Sequence, residues 1–154
     1  MSAYTDGLKL LGHRELSVSQ LRTRLLDRDH PAADADEAIA RLVETGALDD
    51  RRVARAYART ASKIKGRGRL RISRELQAMG IAKDIIAEAV AEVFSDLDER
   101  ALIARAIQKK LRGGKLPSTI KERARLYQFL MRQGFTPAAV SAALRKGGAA
   151  IDAD

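Results

Sequence analysis

The amino-acid sequence predicts an all-α protein built as three tandem three-helix repeats in an elongated or curved arrangement. Three observations carry that expectation. The 154-residue chain is rich in Ala, Leu, Arg and Glu, with three prolines and no tryptophan, a composition that favours helix almost throughout. Its apolar residues recur three and four apart, the spacing of one helix face. The pattern also repeats. Val53-Ala54-Arg55-Ala56-Tyr57 has a counterpart 50 residues later in Ile103-Ala104-Arg105-Ala106-Ile107. A loop four residues longer, around Gly113, Gly114 and Pro117, then sets Leu130 54 residues after Leu76, with Gly134 after Gly80, Phe135 after Ile81, Val140 after Ile86 and Leu144 after Val90. The first third fits with a three-residue insertion after His30, which places Ile39 and Val43 at core positions. A period near 50 residues belongs to the repeat architectures, in which units too small to bury a core alone dock on their neighbours. The repeats are expected at 1–48, 49–96 and 97–146, and 147–154 is expected to be a disordered tail with nothing to bury.

Taken in order, Leu8 and Leu11 suggest a short first helix ending near Gly12 or His13. Ser17-Val18-Ser19-Gln20 has the form of a capping box opening a second helix, with Leu21 and Leu25 inward. Pro31 breaks it, because the residue before proline is driven out of the helical region. Ile39, Leu42 and Val43 mark a third helix, closed by Gly46 in the left-handed position past its end. Asp49 and Asp50 open a fourth, where carboxylates complement free amides; its expected buried stripe is Val53, Tyr57, Ala61 and Ile64. Gly66 and Gly68 make a flexible break before a fifth helix with Ile72, Leu76 and Met79 inward. Gly80 ends it, and Asp84 begins a sixth with Ile86, Val90 and Val93 inward and Glu88 and Glu92 outward. In the last repeat Thr136-Pro137 is a helix start, a capping hydroxyl followed by proline at the first helical position.

Charge is segregated along this frame. The net charge is +9. Residues 27 to 50 carry eight acids and two bases, whereas Arg51 to Arg74 carries Arg51, Arg52, Arg55, Arg59, Lys63, Lys65, Arg67, Arg69, Arg71 and Arg74 with no acid among them. Such a run repels itself, and a polyanionic partner is the simplest thing that makes it useful. The absence of cysteine excludes disulfides, thiolate zinc sites and cysteine nucleophiles. No apolar stretch approaches the roughly 20 residues of a membrane span, and the start lacks a signal-peptide core, so a soluble, unexported protein is expected.

Gly46-Ala47-Leu48-Asp49-Asp50 followed by Arg52-Val53-Ala54, then Gly68, Glu75-Leu76 and Gly80, carry a resemblance that covers residues 8 to 146. Arg14, Ser17, Leu21, Arg24 and Leu25 match the opening pattern of the same family, and Phe129-Leu130-Met131-Arg132-Gln133-Gly134-Phe135 its third-unit pattern. In order and at the repeat spacing, they identify the sequence as resembling the RecX family of recombination regulators. Ala47 stands where that family usually has an aromatic, Val53 where it often has phenylalanine, and Asp29-His30 replaces its basic-glycine helix end; these departures bear on stability. The resemblance implies a cytoplasmic bacterial protein that binds RecA and its filament on single-stranded DNA, lodges in the filament groove, and dampens ATP hydrolysis, strand exchange and co-protease activity.

The residues give the physical means. Arg55, Arg59, Lys63, Lys65, Arg67, Arg69, Arg71 and Arg74 are expected to contact phosphates or filament acids, with Arg105, Lys109, Arg112, Lys121, Arg123 and Arg125 as a second cluster in the third repeat. The plain alternative for both is a solvated helix face, although such faces normally mix signs. Tyr57, Tyr127 and Phe129 lie at helical positions that suit core packing better than base stacking. His13 and His30 lack a third ligand at metal-binding spacing and read as helix-end residues. Asp49 and Asp50 read as caps, not general acid–base groups. No catalytic constellation, metal or cofactor is expected, and a monomer is the default. The competing reading is a sequence-nonspecific DNA-binding protein that acts by occupying single- or double-stranded DNA.

Overall fold

The structure is a computed structural model that describes residues 1–112 and 114–152, with side chains described through residue 145. The described residues form nine helices and no strand: α1 (Ala3–His13), α2 (Val18–Asp27), α3 (Ala32–Glu44), α4 (Asp50–Lys63), α5 (Arg69–Ala78), α6 (Lys83–Ser95), α7 (Glu99–Leu111), α8 (Ile120–Gln133) and α9 (Pro137–Asp152). Two compact units divide the chain: Met1–Tyr57 with Glu75–Ala89, and Ala58–Arg74 with Val90–Asp154. Each helix of the second repeat therefore contributes residues to both.

In the first unit, Leu16, Leu21, Leu25, Ala35, Ile39, Leu42 and Leu48 form the core. Helix α1 starts well before Leu8, capped by Ser2, and its buried residues are Ala3, Asp6 and Gly7, while Leu8 is 44% exposed. Apolar periodicity misses this face because it is made of small residues: a Cβ on Gly7 would lie 3.0 Å from Leu42 Cδ1, so α1 sits close on α3. Helix α3 turns Ala35, Ala38, Ile39 and Leu42 inward and leaves Val43 48% exposed, correcting the expected core position. The capping box at Ser17 and Gln20 is formed. Asp49 Oδ1 accepts from the amides of Arg51 and Arg52 and caps α4, whereas Asp50 Oδ1 reaches α2 and accepts from the Val18 amide at 2.9 Å.

The repeat is visible in burial. Leu76 and Leu130 are fully buried, as is Leu25 in the first repeat; Ile81 and Phe135, Ile86 and Val140, Val90 and Leu144 are buried pair by pair. Gly80 and Gly134 both adopt positive φ, 79° and 99°, and in the first repeat Asp29 holds the same left-handed place at 66°. Asp29 can do so because a short polar side chain tolerates that region better than others.

Helix α4 buries Val53, Ala54, Ala58 and Ala61, with Tyr57 half-buried. Ile64 is 77% exposed, not inward, because α4 ends at Lys63 and the chain turns away through Gly66 at φ 67°. The following break is pinned, not flexible: the Arg67 amide donates to Ala61, and the buried Gly68 donates to Gln133 at 2.8 Å. Met79 is half-buried. Helix α9 continues past Gly147 to Asp152, where the sequence suggests disorder; Ala153, Asp154 and Gly113 lie outside the described residues.

Successive repeats meet end to end. In the first unit the Ser17 hydroxyl donates to the Met79 carbonyl at 2.5 Å, at the start of α2 and the end of α5. In the second unit the amides of Gly68 and Leu70 donate to the carbonyls of Gln133 and Gly134 at 2.8 and 2.9 Å, at the start of α5 and the end of α8.

Candidate functional site

The ten bases between Arg51 and Arg74 do not make one face. Arg51 pairs with Glu88, and Arg52 donates to the carbonyls of Gly46 and Ala47 while pairing with Glu15. Acids distant in sequence thus neutralise the start of the run. Arg55 is half-buried, Arg59 and Arg74 are exposed, and Arg67 is half-buried. Arg69 lies with its guanidinium carbon 5.1 Å from the centroid of the Phe94 ring, and Arg71 donates to Gln133 Oε1 at 3.3 Å beside Gly134. In the second cluster, Arg123 is a structural strut: it donates to the carbonyl of Leu144 at 2.8 Å and reaches Pro117. Arg112 is exposed in the left-handed cap position of α7.

The remaining bases converge on two adjoining depressions in the second unit. The smaller, about 210 Å³, lies between the end of α4 and α7; Lys63, Lys65, Arg105, Lys109 and Lys110 line it over Leu102, Ala106, Ile64 and Phe129, with no acid. The larger, about 710 Å³, lies between α7 and α8 and is lined by Lys110, Lys121, Arg125 and Arg132 with a single acid, Glu122, over Leu111, Pro117, Leu126 and Phe129. Lys110 and Phe129 belong to both, with Lys110 Nζ 4.8 Å from the ring centroid. Among the described residues, eight cations therefore face one acid across two depressions that share Phe129.

Lysines at helix C-termini complement the macrodipole, which accounts for Lys63, Lys109, Lys110 and Arg132, each in the last turn of its helix. It does not account for Lys65, Arg105, Lys121 or Arg125. Like charges gathered on one depression repel, and a polyanion relieves that repulsion. Of the sequence-predicted residues, Lys63, Lys65, Arg105, Lys109, Lys121 and Arg125 are brought together here. Lys110 and Arg132 were missed, and so was Phe129, which is half-buried at the surface instead of filling the core. The signal for Lys110 was the adjacent Lys109-Lys110 pair at a helix end; nothing local marks Arg132.

Elsewhere, Arg22 Nε donates to Asp36 Oδ1 at 2.8 Å, linking α2 to α3. That hydrogen bond, with the charge attraction, raises the Arg22 pKa above its usual value and lowers that of Asp36. His30 Nε2 lies 2.8 Å from Asp6 Oδ2, and Arg28 Nε lies 3.1 Å from the same oxygen, so His30 helps to satisfy a buried carboxylate. His13 is an exposed residue at the end of α1. Among the described residues no group of three or more His, Cys, Asp or Glu could hold a metal ion, and no helix is long and apolar enough to cross a membrane.

Comparison with known proteins meets the same architecture. Family models for the first, second and third three-helix domains of RecX match residues 3–42, 49–90 and 98–144. The chain is 36% identical over 143 residues to Regulatory protein RecX of Pelodictyon phaeoclathratiforme, covering 93% of this chain and 87% of that one. It is 34% identical over 147 residues to the namesake from Halorhodospira halophila, covering 96% and 86%. Against that of Geobacillus kaustophilus, 34% identical over 149 residues, it spans 54% of the relative's length. Among solved structures, the fold is similar to the crystal structure of RecX from Lactobacillus salivarius, with a TM-score of 0.81 and 18% identity over 95% of this chain and 94% of that one. Three matched three-helix domains, nine helices among the described residues, and relatives of this identity over most of the chain leave one assignment: the chain belongs to the RecX family of regulatory proteins.

Proposed function

We propose that this chain is a non-catalytic, cytoplasmic regulator that binds RecA and its filament on single-stranded DNA and inhibits ATP hydrolysis, strand exchange and co-protease activity. It acts as a monomer and needs no cofactor. Family membership supports the partner, and one observation supports the means: eight cations facing a single acid across the two depressions of the second unit. A nucleoprotein filament offers phosphates and protein carboxylates together, and complementary charge of this kind raises both encounter rate and specificity.

The reading is tested by adding the protein to preformed RecA filaments on single-stranded DNA and following ATP hydrolysis at two salt concentrations. Inhibition that weakens with salt supports it. A second reading, a sequence-nonspecific DNA-binding protein that acts by occupying DNA, is favoured by the apolar floor of the same depressions, which suits bases as well as protein. Tight binding to naked DNA with no effect on the ATPase selects the second over the first.

A further inference from the structure

We infer that the two depressions of the second unit form a track for single-stranded nucleic acid in which Phe129 is the stacking platform, so that this face discriminates a single strand from a duplex. The inference uses the same face as the proposed function but does not require RecA.

Three observations carry it. Phe129 is half-buried and lines both depressions, so one aromatic ring stands at their junction. Lys110, a cation common to both, holds its ammonium over the face of that ring, 4.8 Å from the centroid. A base that takes that face displaces the ammonium, which its flexible stem lets move onto the adjacent phosphate. Further cations stand on either side, among them Lys63, Lys65 and Lys109 at one depression and Lys121, Arg125 and Arg132 at the other, as a charged backbone passing the ring would need. A single strand presents a phosphate and an unpaired base at each step, and cations beside an aromatic ring take both without reading sequence. A duplex keeps its bases stacked and offers phosphates only.

An acidic peptide is the weaker fit. Extended peptides are usually held by main-chain hydrogen bonds to a sheet edge, and helical ones by a long apolar groove; here the described walls are helices and helix ends with no strand among them, and the floor is ringed by charge. The smaller depression, about 210 Å³, is also below the size of ordinary small-molecule sites, while the larger, about 710 Å³, lies within it. A polymer crossing both explains why they adjoin.

The test is fluorescence anisotropy of a labelled 15-residue oligothymidylate, titrated with the full chain at several salt concentrations. Duplex DNA of the same length, inorganic polyphosphate, polyglutamate and a free nucleoside triphosphate serve as competitors. The variants are F129L, which keeps apolar bulk, and K65Q/K109Q, which removes two exposed charges; circular dichroism melts verify that each folds. The track predicts that oligothymidylate binds more tightly than duplex. F129L should weaken it about tenfold with the salt slope unchanged, whereas K65Q/K109Q should lower the slope by about 1.4, roughly 0.7 for each charge. Equal binding of duplex, displacement by polyphosphate, polyglutamate or the triphosphate as effective as by unlabelled oligothymidylate at equal charge, or wild-type affinity in folded F129L would each overturn it. RecA ATPase inhibition by the wild-type chain is measured alongside: its absence, with Phe129-dependent binding intact, overturns the regulatory reading and leaves the track standing.

Discussion

The amide of Gly68 donates to the carbonyl of Gln133 at 2.8 Å, so the first turn of α5 is satisfied by the last turn of α8. A repeat earlier the same joint is made by the Ser17 hydroxyl on the carbonyl of Met79, 2.5 Å away. Helix N-termini carry orphan donors and a positive dipole end, and C-termini carry orphan acceptors and a negative end. Joining one to the other settles both accounts at once. The joint demands close approach: a Cβ on Gly68 would overlap the backbone of Gly134 and Phe135, one on Gly134 would overlap Arg71, and one on Gly80 would overlap Ser19.

Gly134 should therefore be far less replaceable than Gly46. Both have positive φ, 99° and 83°, but Gly46 has nothing within 4 Å of a built Cβ. Gly46→Ala should cost only the left-handed penalty, about 1–2 kcal/mol. Gly134→Ala adds the overlap with the Arg71 backbone and should cost about 3 kcal/mol or more. Urea unfolding of the two variants compares them directly, and equal midpoints would remove the joint from the account of stability.

Ser17 is fully buried and does two things: its hydroxyl accepts from the Gln20 amide at 3.0 Å and donates to Met79. Ser17→Ala removes the cap and orphans a carbonyl, with an expected cost of about 2–3 kcal/mol. Ser2→Ala removes the cap of α1 at an exposed site and should cost about 1 kcal/mol. A smaller loss at Ser17 than at Ser2 would mean that the Met79 contact contributes nothing.

Much of this fold is legible in the sequence because a repeat reports each core position more than once. Leu76 and Leu130, or Gly80 and Gly134, identify one another by spacing alone, and their environments match. The start of α1 was not legible, since Ala3 and Gly7 pack by being small and leave no apolar signature. Ile64 misled because periodicity does not show that the helix stops one residue earlier. The candidate site was legible as charge but not as shape. Arg69 in the run and Arg123 in the second cluster look like the bases around them, yet each is held by a partner farther along the chain, Phe94 and Leu144. Arg132 becomes part of the site only because α7 and α8 pack side by side.

The Arg22–Asp36 pair should give a resolvable titration. The hydrogen bond from Arg22 holds the Asp36 carboxyl below its usual pKa. A carboxylate whose pKa is depressed by folding contributes stability that is present above its unfolded pKa and lost as pH falls through the folded one. The contribution here is small, because both side chains are about half exposed, 44% and 57%. In Arg22→Gln, the Asp36 carboxyl resonance should titrate at a higher pH than in the wild type. An unmoved curve would mean that the pair does not persist in solution.

Arg123 and Arg125 are two residues apart on α8 and should fail in different ways. Arg125 is exposed and faces the larger depression, where it meets Lys121 and Arg132. Arg125→Gln removes a charge from a repelling group, so stability should stay within about 0.5 kcal/mol of wild type while the concentration needed for half-inhibition of the RecA ATPase rises severalfold. Arg123 spends its guanidinium on the carbonyls of Leu144 and Pro117, tying α9 and the loop before α8 to that helix. Arg123→Ala leaves those acceptors unmatched and should cost about 1–3 kcal/mol, with inhibition per folded molecule unchanged. Urea midpoints and inhibition titrations on both variants separate the roles. If Arg125→Gln inhibits as well as wild type and Arg123→Ala is the variant that loses inhibition while remaining folded, the depressions are not the face that meets the filament.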